Sequence, residues 1–425
     1  MSSSTADGFA LSFAQQRLWF AHQLAPDSIA YNMYEAYRLL GPLDLDVLQT
    51  AVTSTVARHE TLRTTFQSSR GVPHQVIGEP SVVVEEVADL DVVIGRSFAL
   101  DRDPPLRVAV RPLGPDDHVL LVVMHHIVSD EQSMTAFWRD LSEFYRAQVT
   151  HTEAELAPLP VRYVDYAAWQ RDWLSGGLLA DELDHWRREL AGAPPVLELP
   201  ADHPRPARQS DNRGTTSFTL PPSTVHAIGV TSRAVGATPF MTCLAAFAAL
   251  LSKAAPADDV VIGTFAANRP AVEVEAIVGL FVNTLPLRVR VGTDPTFEDL
   301  LSTVRMAATD GIRHQEVPFD QVVTAMRPPR DLSRNPVVQV AFQSLQPLTG
   351  RVALPGVTAT PHSAGQCGDP FDIRVSLRGA EGELHYAADL FTAETAAALA
   401  GWYVRIVTAA AESPTLRTTQ LPQAH

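Results

Sequence analysis

Two adjacent histidines, His125 and His126, open a short segment that ends in the polar residues Ser129 and Asp130. An unbroken apolar stretch, residues 119–123, precedes them and predicts a buried strand, and helical spacing follows from Ser133. An imidazole at such a junction is partly desolvated and close to helix N-terminal amides, which suits proton transfer near neutral pH. Spacing alone leaves a second interpretation open, in which one histidine is buried, the other is solvated, and neither has a chemical role.

The two imidazoles cannot serve one cavity equally. Neighbouring residues on an extended segment direct their side chains to opposite faces, so only one of His125 and His126 can face a given ligand. The same alternation argues against a metal ion shared by both rings. We therefore predict no metal at this motif.

Composition limits the class of protein. A chain of 425 residues with 46% apolar and 19% charged residues predicts two or more domains with substantial cores. The net charge of −15, without an arginine or lysine run, argues against a nucleic-acid partner. Cys243 and Cys367 lie too far apart to indicate a disulfide framework or a metal motif, so a reducing cytoplasm is expected. The N-terminus lacks signal-peptide features, and the most apolar window, residues 241–251, is too short for a bilayer, so no membrane association is expected.

The apolar pattern predicts a mixed α/β (α+β) chain in two halves of similar element content. We predict an N-terminal half of residues 1–180 and a C-terminal half of residues 181–425, joined near a proline-rich linker at about residues 191–210. Such halves suggest a pseudo-dimer with a ligand cleft. The predicted elements include strands at 31–40, 118–124, 259–266 and 281–291, helices at 45–60, 133–150, 163–190, 296–314 and 392–412, and a hairpin of 371–377 with 384–389.

Seven strings along the chain resemble, in the same order, the motifs of the condensation domains of nonribosomal peptide synthetases. The active-site motif of that family is written HHxxxDG, and the matching string begins at Met124. The seven strings are residues 12–19, 58–66, 124–133, 163–169, 278–288, 314–320 and 330–336. The first of them is most similar to the subclass that joins an L-configured donor to an L-configured acceptor.

The resemblance implies a fold and a set of partners. It implies two chloramphenicol-acetyltransferase-like halves arranged as a V, with a central tunnel that holds the histidine motif. Donor and acceptor peptidyl carrier proteins would present their substrates on phosphopantetheine arms, and the acceptor would be a small-molecule amine or an aminoacyl group. No permanently bound cofactor is expected, and a monomer is expected. The product would be an amide or an ester in antibiotic or other secondary metabolism.

The resemblance also implies residue roles. His126 would be the catalytic residue, which accepts a proton from the amine or holds it by a hydrogen bond, and His125 would be structural. Asp130 could orient the imidazole, as in a catalytic triad, or could form a buried ion pair that holds the turn. The family places an arginine opposite this aspartate, and Arg288 is at the matching position.

Four further polar residues are candidates for tunnel or substrate contacts. Asn335 resembles a tunnel-lining residue, although an asparagine before Pro336 is also common in turns. Asn283 is a polar residue in an apolar motif, and Ser129 and Gln132 flank the motif's acidic positions.

Glu131 departs from the family motif, which has glycine at this position. If its φ were positive, glutamate would carry about 1–3 kcal/mol of strain. Three interpretations stay open. The residue could pair with an unusual acceptor in an active enzyme. It could plug the acceptor side of a noncatalytic platform that recruits a tailoring enzyme, as in an oxygenase-docking branch of the family whose motif is altered. It could point to solvent and change little.

No adenylation, carrier or thioesterase signature accompanies the seven strings. The chain is therefore expected to be either a free-standing protein or an excised domain. Epimerase relatives share HHxxxDG, but their further motifs are not found here.

Overall fold

The computed structural model of the chain describes residues 8–175, 177–255, 257–363 and 370–424. Helices and strands mix without a strict βαβ alternation, which is the mixed α/β class predicted from the sequence. The disulfide prediction depends partly on Cys367, and the signal-peptide prediction depends partly on residues 1–7. Both lie outside the described residues.

The elements are numbered in chain order. The helices are α1 Phe13–Leu24, α2 Leu45–Arg58, α3 Leu90–Ile94, α4 Glu131–Thr150, α5 Tyr163–Ser175, α6 Leu178–Glu189, α7 Pro222–Ala234, α8 Pro239–Ala254, α9 Phe297–Arg313, α10 Phe319–Met326 and α11 Ala393–Glu412. The strands are β1 Phe9–Ala10, β2 Asn32–Leu40, β3 Thr64–Ser69, β4 Val72–Ile77, β5 Val84–Glu86, β6 Leu106–Gly114, β7 Asp117–His125, β8 Arg213–Thr219, β9 Asp259–Ala266, β10 Asn283–Arg290, β11 Val340–Ser344, β12 Thr358–His362, β13 Ile373–Arg378 and β14 Glu381–Ala387.

The described residues divide into two compact units. The first unit contains the chain up to Leu178 together with two segments from later in the sequence, residues 267–282 and 347–363. The second contains residues 179–266, 283–346 and 370–424. A single division near residue 180 therefore does not separate the units, because two later segments belong to the first one. Residues 191–210, predicted as a linker, contain neither helix nor strand and belong to the second unit.

The first unit is built around a five-stranded sheet in the order β12-β2-β7-β6-β5, with a three-stranded sheet β1-β4-β3 beside it. β7 is apolar on both faces because each face meets a different core. Leu120 and Val122 pack in the cluster that includes residues of α2 and α4, whereas Leu121 and Val123 pack with residues of α1 and α3. This double burial explains the unbroken apolar run before the histidines.

The second unit has a six-stranded sheet in the order β10-β9-β11-β13-β14-β8. Its pairings are antiparallel except at β11, which runs parallel to both β9 and β13. Buried residues of α8, α9 and α11 belong to the same hydrophobic core cluster as those of the sheet.

Local predictions hold to within a few residues at the elements that position the motif. The strand predicted at 118–124 is Asp117–His125, and the helix predicted from Ser133 begins two residues earlier, at Glu131. The helix predicted over 163–190 is two helices, α5 and α6.

Of the helices that the structure describes, none is by itself both long and apolar enough to cross a bilayer. α7 and α8 reach that length and composition only as a pair bent by 104°.

Candidate active site

The histidine motif lies at a strand-to-helix junction of the first unit. β7 ends at His125, a short 3₁₀ turn covers residues 126–128, and α4 begins at Glu131 with Asp130 as its N-cap. The His126 amide donates to the carbonyl of Tyr31 at 2.8 Å, so the turn stays attached to the start of β2. The junction is therefore fixed at both ends by backbone hydrogen bonds and a helix cap.

His125 has the contacts of a structural residue. It is buried, and its Nδ1 accepts a hydrogen bond from the Ile127 amide at 3.0 Å. The rings of Tyr31 and Phe98 lie close to its imidazole, at 6.1 and 5.9 Å between centroids. Burial lowers the pKa of His125 to about 3, so the ring is neutral at physiological pH.

His126 is half-buried and has a defined tautomer. Its Nδ1 lies 2.6 Å from the carbonyl oxygen of Ser129. Because a carbonyl can only accept, Nδ1 carries the proton, and in the neutral ring Nε2 keeps its lone pair. Burial lowers the pKa of His126 and outweighs the Ser129 carbonyl and the Asp130 charge, which act in the opposite direction. The neutral imidazole can therefore act as a proton acceptor at Nε2.

Asp130 is a buried acceptor that ties α4 to the segment 267–282. Its Oδ1 accepts from the amide and the hydroxyl of Ser133 at 2.8 and 2.7 Å, and its Oδ2 accepts from the Phe281 amide at 3.0 Å. Nη2 of Arg269 lies 3.0 Å from Oδ1. Nδ1 of His126, the nitrogen that a triad aspartate would contact, is hydrogen-bonded to the Ser129 carbonyl instead. These contacts therefore favour the buried ion pair over the triad interpretation.

The arginine that meets Asp130 is Arg269, and the prediction of Arg288 is wrong. Arg288 forms its ion pair with Asp259, at 2.6 Å, and also donates to the backbone carbonyls of Glu189 and Ala191 at the end of α6. The reason is strand register: Arg288 on β10 faces Val261 of β9, which places it diagonally across from Asp259.

The sequence pattern did not indicate Arg269. Its guanidinium donates to the carbonyls of Val274 and Ile277 at 2.6 and 2.7 Å and lies 4.0 Å from the centre of the Phe281 ring. The local signal was an arginine between Asn268 and a proline, directly after a buried strand, but nothing in that spacing names its partner.

Glu131 is the first residue of α4 and is not among the residues with positive φ, so the strain that a positive φ would cause does not arise. Its Oε1 lies 2.6 Å from Nη2 of Arg351, and Nη1 of the same arginine lies 2.6 Å from Oε1 of Glu35. The side chain of Arg351 is 5% exposed and that of Glu131 is 30% exposed. Burial alone would lower the pKa of Arg351, but the charges of Glu35 and Glu131 outweigh it and raise that pKa. Glu131 therefore belongs to an ion-pair cluster rather than to open solvent.

Two other candidates flank the motif in the first unit. Ser129 is fully buried, and its hydroxyl lies 3.3 Å from the His125 carbonyl and 3.6 Å from Sδ of Met33. Gln132 is exposed on the first turn of α4. Ser129 thus contributes its carbonyl to the orientation of His126, whereas Gln132 makes no such contribution.

Asn283 and Asn335 belong to the second unit. The amide nitrogen of Asn283 donates to the carbonyls of Gln315 and Val317 at 2.7 and 2.6 Å, and its Oδ1 accepts from the Phe319 amide at 3.0 Å. Through these contacts Asn283 holds the backbone of residues 314–320, the sixth of the seven matching strings. Asn335 is half-buried, and its backbone carbonyl accepts from the side chain of Gln339 at 3.1 Å.

Comparison with known proteins defines the class. The chain belongs to the condensation-domain family of nonribosomal peptide synthetases, because the Condensation domain model matches residues 5–423. It is 37% identical over 435 residues to a linear gramicidin synthase of Brevibacillus parabrevis and 39% identical over 403 residues to malpinin synthetase of Mortierella alpina. These alignments cover 97% and 91% of this chain but only 6% and 5% of the two synthetases.

Solved structures give the same fold. The X-domain from teicoplanin biosynthesis has a TM-score of 0.87 and 32% identity, with 97% of each chain covered. The X-domain is also known in a complex with OxyB, at 31% identity, a TM-score of 0.87, and coverage of 98% of this chain and 96% of that one. The condensation domain of the monacolin K polyketide synthase MokA also has this fold. Its TM-score is 0.86 at 23% identity, with 96% of this chain and 98% of that one covered.

Proposed function

We propose that the chain catalyses condensation of a carrier-bound acyl or aminoacyl thioester with an acceptor amine, or with a hydroxyl to give an ester. The observation that carries this proposal is the state of His126. Its Nδ1–H is held by the Ser129 carbonyl, its Nε2 is left as the acceptor, and burial lowers its pKa. The family relation supports the reaction class.

In the proposed reaction the amine nitrogen attacks the thioester carbonyl, so a C–N bond forms and the C–S bond breaks. Nε2 of His126 accepts a hydrogen bond or a proton from the attacking amine, and the proton finally goes to the departing phosphopantetheine thiolate. A thioester is already activated, so holding both reactants together supplies much of the acceleration. Asp130 and Ser129 are positioning residues, because they hold the turn and the imidazole.

The partners follow from this reaction. We propose donor and acceptor carrier proteins, each delivering its group on a phosphopantetheine arm. Like the predicted absence of a permanently bound cofactor, a monomeric state and a cytoplasmic location are part of this proposal.

The test is a reconstitution. Acyl-loaded carrier proteins are incubated with candidate amines and aminoacyl carriers, and products are read by intact-mass spectrometry. We expect His126→Ala to lower the rate about 10²–10⁴-fold, the range typical of a general base. His151→Asn, at an exposed residue whose φ of 52° asparagine tolerates, is the matched control and should retain the rate. Product formation at equal rates by wild type and His126→Ala would reject the proposed mechanism.

A second function is favoured by the Glu131–Arg351 contact and the likeness to the X-domain. In this alternative the chain is a catalytically impaired platform that recruits a tailoring enzyme to a carrier-bound peptide. The X-domain's complex with OxyB supports such a role.

The variant Glu131→Gly separates the two functions. A platform should gain condensation activity, because glycine restores the family motif and releases Arg351. An enzyme that depends on Glu131 should lose activity. Binding of a tailoring oxygenase by wild-type chain, measured by calorimetry, adds an independent readout, and the platform proposal fails if no such complex forms.

A further inference from the structure

A cluster of two imidazoles and two carboxylates lies within the second unit, away from the histidine motif in sequence. Glu182 and His185 are three residues apart on α6, and Asp310 and His314 are four residues apart at the end of α9. Side chains at these spacings share one face of a helix. Each helix therefore offers one imidazole and one carboxylate to the same place.

The distances bring the two imidazoles and the Asp310 carboxylate within reach of one ion, with Glu182 beside His314. His185 Nε2 lies 3.5 Å from Oδ2 of Asp310, and Nδ1 of His314 lies 2.8 Å from Oε2 of Glu182. The two imidazole rings are stacked, with centroids 3.6 Å apart and an interplanar angle of 13°. Potential ligand atoms of His185, Asp310 and His314 all lie within 4.8 Å of one another.

The cluster contains an unsatisfied polar atom. Within the part of the chain that the structure describes, the buried Nε2 of His185 has no hydrogen-bond partner. In the neutral tautomer that carries its proton on Nδ1, this nitrogen presents a lone pair and not a proton donor. A buried acceptor of this kind is costly unless something pairs with it.

We propose that this cluster is a binding site for a divalent transition-metal ion of the zinc type. His185, His314 and Asp310 would be the ligands, since imidazole and carboxylate groups suit Zn²⁺. Glu182 would accept the Nδ1–H of His314, which leaves Nε2 of that ring for the metal, as is usual for metal-bound histidines. The two stacked rings lie in nearly parallel planes, and one ion cannot lie in the plane of both, so binding requires one ring to rotate about its Cβ–Cγ bond.

The ion would join α6 to α9. A hydrogen bond from a side chain to the backbone already links the two helices. Nε1 of Trp186, a buried residue next to His185, donates to the His314 carbonyl at 3.2 Å. The site would therefore stabilise the second unit. It is independent of the proposed condensation reaction.

The test is calorimetric titration of metal-stripped, untagged full-length chain with ZnSO₄. We expect one Zn²⁺ per chain and a higher unfolding temperature in its presence, because the ion binds only the folded arrangement. His185→Ala and His314→Ala should each weaken binding at least about tenfold. His226→Ala, an exposed histidine on α7, is the matched control and should bind as wild type does.

Cobalt substitution tests the geometry, since tetrahedral Co²⁺ gives intense visible bands that should be lost in His185→Ala. If that variant does not fold, Asp310→Asn, at a side chain 44% exposed, replaces it and should also weaken binding. The proposal is overturned by the absence of stoichiometric binding, or by equal affinity in wild type and in all ligand variants.

Discussion

Two arginine-centred clusters meet consecutive residues at the start of α4, and they differ in how closely they are enclosed. Arg269 reaches Asp130, and Arg351 reaches Glu131. Both arginines lie on late segments of the chain, residues 267–282 and 347–363, that join the first unit. The side chains of Arg269 and Asp130 are 2% and 5% exposed, whereas that of Glu131 is 30% exposed.

The difference indicates different roles for neighbouring acidic residues. Asp130 caps the helix, accepts from the Phe281 amide and pairs with a buried guanidinium, so its loss disturbs several elements at once. Glu131 is partly open to water and shares its arginine with Glu35. A loss of activity in an Asp130 variant is therefore expected to come mainly from lost stability. A change of activity in a Glu131 variant is expected to come mainly from a local change at the histidine motif.

The largest expected effect is that of Asp130→Ala. It leaves the Arg269 guanidinium buried without its carboxylate, and breaking such a pair costs about 3–5 kcal/mol of unfolding free energy. Urea denaturation measures it. Asp130→Asn, which can still cap α4, should lose less. If Asp130→Ala were as stable as wild type yet inactive, the aspartate would have a catalytic role, and its assignment as a structural residue would be wrong.

Arg351→Met should have the next largest effect. It removes the cation from Glu35, whose side chain is 7% exposed, and from Glu131, at a cost of about 1.5–3 kcal/mol for charged hydrogen bonds. Arg38→Met, which breaks an exposed ion pair with Asp117 on the same sheet, is the control and should change stability little. Equal losses in the two variants would show that the Arg351 cluster acts as an ordinary surface pair.

Acid should destabilise the folded chain through protonation of His125. This effect on stability does not depend on either arginine cluster. The unfolded imidazole takes up a proton below pH 6.5, whereas burial holds the folded pKa near 3. The unfolded state therefore binds more protons in this range, and the unfolding free energy falls as pH falls, by about 2 kcal/mol between pH 7 and 5.

Urea unfolding at several pH values measures this loss. His125→Asn can keep an acceptor for the Ile127 amide but does not titrate, so its stability should fall less between the same pH values. An unchanged pH dependence would assign the loss to other buried histidines, such as His59, whose pKa burial also lowers.

The smallest expected effect is that of Glu131→Gln. A partly exposed ion pair contributes about 0.2–1 kcal/mol, and salt screens it. Unfolding at low and high ionic strength should show the difference between wild type and variant shrinking as salt rises. A loss of unfolding free energy as large as that of Asp130→Ala would show that Glu131 stabilises the fold as strongly as Asp130 does.

The elements that carry the motif were predictable because their signals are local. The apolar run of β7, the histidine turn and the helical spacing of α4 all lie within one continuous stretch of chain. Their limits differed by one or two residues, because Asp130 caps the helix before the apolar periodicity begins. The break between α5 and α6 was missed because both helices have aromatic and apolar residues that suit a continuous helix.

The sequence by itself determined the family, the mixed α/β class and the place of two histidines at a strand end, since each depends on short-range pattern or on ordered motifs. Tertiary structure alone decided which cation meets which carboxylate. Register placed Arg288 beside Asp259, and the late segments brought Arg269 and Arg351 to the acidic residues before and at the start of α4. Charge pairing across such distances in the chain depends on how strands and segments pack, and residue spacing does not encode that directly.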